Sequence, residues 1–166
     1  MSRLPMLLLL SVLLITPAVA GEGGGAPPDF TLTSTTGESF TLSNHVGKEV
    51  VVLSFWATWC APCADEMKQL QAMHGKYAKD GLTVIGVNVE SAGTLDKVKT
   101  TIAERGVTYP ILLDHDTAVF KQFNAKRNLP FFMIVGKDGQ IASKHAGFKA
   151  GDEVALEAEI KALLAK

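Results

Sequence analysis

Cysteine is scarce in this chain of 166 residues: Cys60 and Cys63 are the only two. A structural zinc site wants four ligands at recognisable spacing. No second Cys-x-x-Cys and no close histidine pair supplies the others, since His45, His74, His115 and His145 are scattered. Nor is a further cysteine left to close a permanent bridge elsewhere. An excess of basic charge is missing too: 16 Lys and Arg stand against 17 Asp and Glu, a formal net charge of −1. That balance gives no electrostatic footprint for nucleic acid. The longest apolar stretch, Met6 to Ile15, falls well short of the roughly 20 residues of a membrane-spanning helix, and Pro5 and Pro17 flank it. No internal repeat occurs.

That apolar stretch, with Arg3 ahead of it and Ala18-Val19-Ala20 behind, has the layout of a cleaved export signal. An uncleaved anchor is the alternative. The expected organisation is a signal over residues 1–20, a glycine- and proline-rich linker over 21–28 (GEGGGAPP), and one domain of ordinary size over 29–166. Without the signal, fifteen basic residues meet seventeen acidic ones, a net charge of −2. The protein is then expected in the periplasm or otherwise exported. In an oxidising compartment disulfides are normally structural and numerous, so a single close pair reads as cysteines kept for chemistry.

Hydrophobic patterning places the elements. Phe30 to Thr33 and Ser39 to Leu42 read as a small hairpin around Thr36-Gly37. Val50 to Phe55 and Leu82 to Val89 are unbroken apolar runs suited to strands buried on both faces. Between them, Ala64 to Lys79 carries Met67, Leu70, Met73 and Tyr77 at helical spacing and stops at Asp80-Gly81. Strand, helix and strand in this order form a βαβ unit, hence an α/β fold with parallel pairing. A second helix spans Thr94 to Arg105, with Leu95, Val98 and Ile102 on one face. Tyr109 to Leu113 is a short apolar stretch, and Asp116 is the expected cap of a helix carrying Val119, Phe120 and Phe123. Pro130 to Val135 and Gln140 to His145 form a hairpin through Gly136-Lys137-Asp138-Gly139. A last helix starts at Asp152 and turns Leu156, Ile160, Leu163 and Leu164 inward.

The cysteines lie in Trp56 to Cys63 (WATWCAPC), where the first buried strand turns into the helix. Unpaired amides and the positive end of the helix dipole favour an anion at that point. Cys60, at the helix mouth, is therefore expected to be the more acidic and nucleophilic thiol, with Cys63 in reserve. Besides zinc, an inert staple is weighed and disfavoured, because a separation of three closes too short a loop to restrain much chain. A redox pair fits best: Cys60 attacks a partner disulfide and Cys63 resolves the mixed disulfide.

WATWCAPC after an apolar strand, GVNVES after the next, and LPFFMIVGKDGQI near the end resemble the thioredoxin superfamily. Within it the likeness is to exported thiol-disulfide oxidoreductases of the TlpA and ResA type, over about residues 28–165. The resemblance implies a thioredoxin fold: a central mixed sheet with helices on both faces, an N-terminal hairpin, and an inserted strand and helix within Leu95 to Phe123. It implies that Pro130 is a cis proline beside the disulfide, and that Leu129 offers its backbone to a substrate chain. It also gives Glu90 a role in moving a proton to or from Cys63, although the glycine those relatives place before the acid is absent here. Ser54 stands where thioredoxins proper have a buried acid. Phe131 and Phe132 replace common threonines, expected to make the wall beside the disulfide greasier. Trp56 reads as core and Trp59 as a partner-contact surface. Ala61 and Pro62, inside the motif, complete the expected contact set, Pro62 suiting a first helical turn.

What this implies functionally is a reductase acting on disulfide-containing proteins, as in cytochrome c or copper-site assembly. It would need no cofactor and would be supplied by a membrane thiol donor of the DsbD or CcdA kind. A copper-binding assembly factor using the two thiolates, and a thiol oxidant or isomerase, are the alternatives. A peroxidase is disfavoured, since Thr58 gives TWC in place of threonine-x-x-cysteine.

Overall fold

The computed structural model describes residues 24–166; the expected signal and the first residues of the expected linker lie outside the described residues. Seven strands form one mixed sheet: β1 (Thr31–Ser34), β2 (Ser39–Thr41), β3 (Val50–Trp56), β4 (Leu82–Asn88), β5 (Ile111–Leu113), β6 (Phe131–Val135) and β7 (Ile141–Ala146). Their spatial order is β2-β1-β5-β4-β3-β6-β7. The core is parallel, with β3 matching β4 from Val50 opposite Leu82 to Trp56 opposite Asn88, and β5 continuing in the same sense. β6 joins β3 antiparallel, Phe55 facing Phe131, and β7 completes the ββ hairpin. On the other flank, β1 and β2 pair with each other and β1 lies antiparallel to β5.

All seven side chains of β3 are buried, which explains why this strand has no polar alternation. Strand geometry sends successive residues to opposite faces. Val50, Val52 and Trp56 thus meet Met67, Leu70 and Met73 of α1 (Ala61–Tyr77), Val98 of α2 (Leu95–Glu104), and Leu156, Ile160 and Leu163 of α4 (Asp152–Leu164). Val51, Leu53 and Phe55 meet Val119, Phe120 and Phe123 of α3 (Ala118–Phe123), together with Phe30 and Leu42. Each fully buried side chain of this size contributes about 1.5–3 kcal/mol.

Three expectations shift in detail. First, α1 begins at Ala61 rather than Ala64, so Cys60 is its N-cap and Cys63 lies in its first turn. Second, the cap of α3 is shared: Asp116 Oδ1 accepts the Ala118 N–H, while the buried Asp114 accepts those of Val119 and Phe120. Third, the two phenylalanines part company, as alternation along a strand requires. Phe132 faces the cluster that contains the cysteines, whereas Phe131 joins Phe55 on the opposite face. The described part of the stretch expected as linker lies against the domain, where Gly25 O accepts the Ile141 N–H at 3.3 Å and Ala26 and Pro27 border Leu42 and Val46.

This topology gathers one set of loops at one sheet edge. The loops that follow β3, β4, β5 and β7, and the one that precedes β6, all emerge there. Ligands of open α/β sheets are handled at this edge, beyond the carboxyl ends of the parallel strands.

Candidate active site

At that edge Cys60 and Cys63 form a disulfide, with Cα atoms 5.3 Å apart. Cys63 is completely buried and Cys60 retains a small exposed fraction. Both cysteines are buried, and the slight exposure of the pair belongs to the residue at the helix mouth. Pro62 sits in the first turn, where its missing N–H removes a donor that would have had no partner. Ala61 and Pro62 are exposed beside it. Trp56 is 1% exposed and Trp59 68% exposed, matching the core and surface roles read from the sequence.

The Leu129-Pro130 peptide is cis, as the resemblance implies. Pro130 is buried and Leu129 half-buried. The Pro130 carbonyl accepts the Gly147 N–H at 2.8 Å, which ties the loop to the end of β7.

Glu90 is 9% exposed and points into the loop ahead of Cys60. Its carboxylate accepts the Thr58 N–H at 2.6 Å, the Thr58 hydroxyl at 2.9 Å and the Asn88 amide at 3.1 Å. Asn88 is itself buried and takes the Glu90 N–H. Burial pushes the Glu90 carboxyl up, but the bonds from Thr58 and Asn88 outweigh it and hold the group below the usual carboxylate range. The Thr58 hydroxyl is spent on this carboxylate. Geometrically, Glu90 is an anchor of the Trp56–Cys60 turn.

The sequence reading missed a second acid. Glu66 is fully buried, and the Ser54 hydroxyl donates to its Oε1 at 2.6 Å. Its Oε2 has no hydrogen-bond partner among the described residues. Burial pushes its carboxyl up to about 8, against a partial lowering by Ser54. Where thioredoxins proper have an acid, this chain places a serine and brings the acid from α1. The signal was present in the sequence: Cys63, Glu66, Met67 and Leu70 fall at spacings of 0, 3, 4 and 7, which sets Glu66 inside the apolar stripe of the helix.

Beside Glu66's partner strand, Phe132 opposes Ser54 across the β3–β6 pair and stacks on His145 with ring centroids 4.5 Å apart. Among the described residues no cluster of three or more His, Cys, Asp and Glu side chains is arranged to hold a metal ion.

Comparison with known proteins decides the family. A family model described as AhpC/TSA family matches residues 24–144. The chain belongs to the AhpC/TSA family, within the thioredoxin superfamily. It is 33% identical over 141 residues to the thiol-disulfide oxidoreductase ResA of Geobacillus kaustophilus, covering 84% of this chain and 78% of that protein. It is 37% identical over 130 residues to the thioredoxin-like protein YneN of Bacillus subtilis, covering 76% and 72%. A Chlorobium tepidum structure assigned as a thiol:disulfide interchange protein DsbE superposes with a TM-score of 0.78 at 29% identity, covering 86% of this chain and 98% of that one. With its disulfide at the mouth of α1, this ResA-like family member is a thiol-disulfide oxidoreductase of thioredoxin fold. No helix among the described residues is long and apolar enough to cross a membrane.

Proposed function

We propose that the protein reduces disulfides of partner proteins outside the cytoplasm, with a membrane thiol donor of the DsbD or CcdA kind re-reducing it. The observation that carries this reading is the asymmetry of the pair: Cys60 caps the helix next to exposed Trp59 and keeps the pair's slight exposure, and Cys63 is sealed within the first turn. In the reduced protein, Cys60 as thiolate attacks one sulfur of the partner disulfide. That S–S bond breaks, the departing sulfur takes a proton, and a mixed disulfide forms. Cys63 then loses its proton and attacks Cys60 Sγ, restoring the Cys60–Cys63 disulfide and releasing the partner's second thiol. Two electrons pass to the partner.

Trp59, Ala61, Pro62, Leu129 and Pro130 form the contact surface for the partner chain. Glu66, one turn further along the same helix face, takes the Cys63 proton when in its ionised form and returns it when the pair is reduced again. A carboxyl poised near neutral pH suits both directions. Glu90, occupied by Thr58 and Asn88, positions the turn that presents Cys60. Partners in cytochrome c or copper-site assembly fit the resemblance to the ResA type.

The deciding experiment is the reduction potential of the pair. A value near that of thioredoxin, about −270 mV, is expected; one near −120 mV would make the protein an oxidant. A Cys63→Ser variant should trap partners on Cys60, and Cys60→Ser should trap none.

A further inference from the structure

The edge that carries the disulfide is electrically polarised. Following the sheet order from β5 to β7, the loop after β5 holds exposed Asp116 and the loop after β4 holds Glu90, with Cys60 next after β3. Beyond Cys60 the loop before β6 holds exposed Lys126 and Arg127 and no acid, whereas exposed Lys149 after β7 is followed by the half-buried Asp152, which accepts its N–H, and by Glu153. None of these three cations has a salt-bridge partner among the described residues, and the chain as a whole is net negative. Lys126 and Arg127 are also held in place. The buried Asn124 accepts the Lys126 N–H through its side chain and donates twice to Asn128, to the backbone carbonyl and to Oδ1. Its own carbonyl accepts the Arg127 N–H, and Arg127 takes a left-handed φ of 51°. A non-glycine residue in that region is uncommon and marks a turn whose conformation is imposed by its surroundings. This turn ends two residues before the cis Leu129-Pro130 peptide.

We infer that Lys126 and Arg127, supported by Lys149, select partner segments that carry carboxylate side chains within a few residues of the disulfide cysteine. This rests on the reductase reading above. A segment laid along Leu129-Pro130 passes nearest Lys126 and Arg127, so a basic residue beside the disulfide cysteine is repelled there and an acidic one attracted, while exposed Asp116 on the far side favours the orientation that turns the acid toward the cations. Complementary charge acts chiefly on encounter and on rejection of wrong partners, and its reach shrinks from about 10 Å at 0.1 M salt to about 3 Å at 1 M.

The test uses the full reduced chain and three synthetic peptides closed by one disulfide, identical except for glutamate, glutamine or lysine flanking one cysteine. The rate of peptide reduction is expected to run glutamate over glutamine over lysine, with about tenfold between the extremes at low salt and near equality at 1 M salt. The double variant Lys126→Glu, Arg127→Glu should reverse the order, and Lys149→Glu should narrow it. Equal rates for the glutamate and lysine peptides in the unaltered protein, or an order that survives charge reversal, would overturn the inference and leave the reductase reading standing. Failure to reduce the glutamine peptide at all would instead strike at that reading. The salt series needs no variant, so a folding defect in the altered chains cannot decide the outcome.

Discussion

Ser54 in the middle of β3 donates its hydroxyl to the carboxyl of Glu66 on α1 at 2.6 Å, both side chains being sealed from solvent. A charged carboxylate there would lose its hydration and keep one strong bond, so the neutral form is favoured and the group titrates at about 8. Its ordinary value is 4.5. Below about pH 4.5 both folded and unfolded chains hold the proton. Between about 4.5 and 8 the unfolded glutamate ionises while the folded one stays neutral, so stability falls as pH rises and the loss is complete above about 8. Its size is on the order of several kcal/mol. The expected result is that Glu66→Gln removes this slope. Urea unfolding of oxidised protein and variant from about pH 5 to 8.5, read as the difference between them, checks it. Parallel curves would show that Glu66 is ionised in the folded state.

Glu90 behaves in the opposite sense. Its folded carboxyl lies below the usual range despite its burial, because Thr58 and Asn88 donate to it. It therefore stabilises the fold above the unfolded value, and this contribution fades as pH falls through the depressed folded value. Glu90→Gln should flatten the acid limb of the stability profile. It also removes a negative charge bonded to Thr58, two residues before Cys60, which favours the Cys60 thiolate. The expected sign is a less reducing pair, by about 10–30 mV. Equilibration of the variant against a glutathione buffer measures it; an unchanged potential would confine Glu90 to holding the turn.

How much of this was legible beforehand follows from which signals were redundant. β3 and β4 are dominated by apolar residues and Gly81 closes the 3₁₀ turn that follows α1, so several independent patterns agreed on the βαβ half, and Asp-Gly marked the final hairpin. Glu66 was overlooked because, read residue by residue, Asp65-Glu66 looks like the solvated start of a helix. Only the stripe of Cys63, Met67 and Leu70 shows that one of the two acids is turned inward and the other outward. Phe131 and Phe132 were read as one greasy wall, although a strand must split them between faces. The cap of α3 depended on the buried Asp114, whose backbone N–H is held by the Asn88 carbonyl of β4, a pairing distant in sequence.

Gly86 pairs with Ser54 across β3 and β4, and its bare Cα makes room for the core beneath the disulfide. A Cβ there would lie 2.5 Å from Ile111 Cδ1, 3.2 Å from Trp56 Nε1 and 3.3 Å from Tyr109 Cε2. All three residues are buried, and the Ile111 contact is far inside van der Waals distance, so the surrounding core has to shift. Gly86→Ala should cost about 1–3 kcal/mol through overpacking, measured by urea unfolding. A neutral outcome would show that the Trp56 ring relocates, which its fluorescence would report.

Trp59 is the one large aromatic side chain of the described region that stands mostly in water, at 68% exposure, and it directly precedes Cys60, the proposed nucleophile. Leaving such a ring exposed gives nothing to folding, so Trp59→Ala should change the unfolding free energy by less than about 0.5 kcal/mol. Aromatic residues at the centre of a contact carry a large share of binding energy. The rate of reduction of a peptide or protein disulfide should therefore drop by about tenfold, corresponding to about 1.4 kcal/mol. Glutathione disulfide, too small to cover the indole and the Leu129-Pro130 loop together, should lose less. Stopped-flow rates for both substrates give the ratio directly. An equal loss for the two would mean that Trp59 acts on the reactivity of Cys60 itself, through the turn that Glu90 holds, and not through the partner chain.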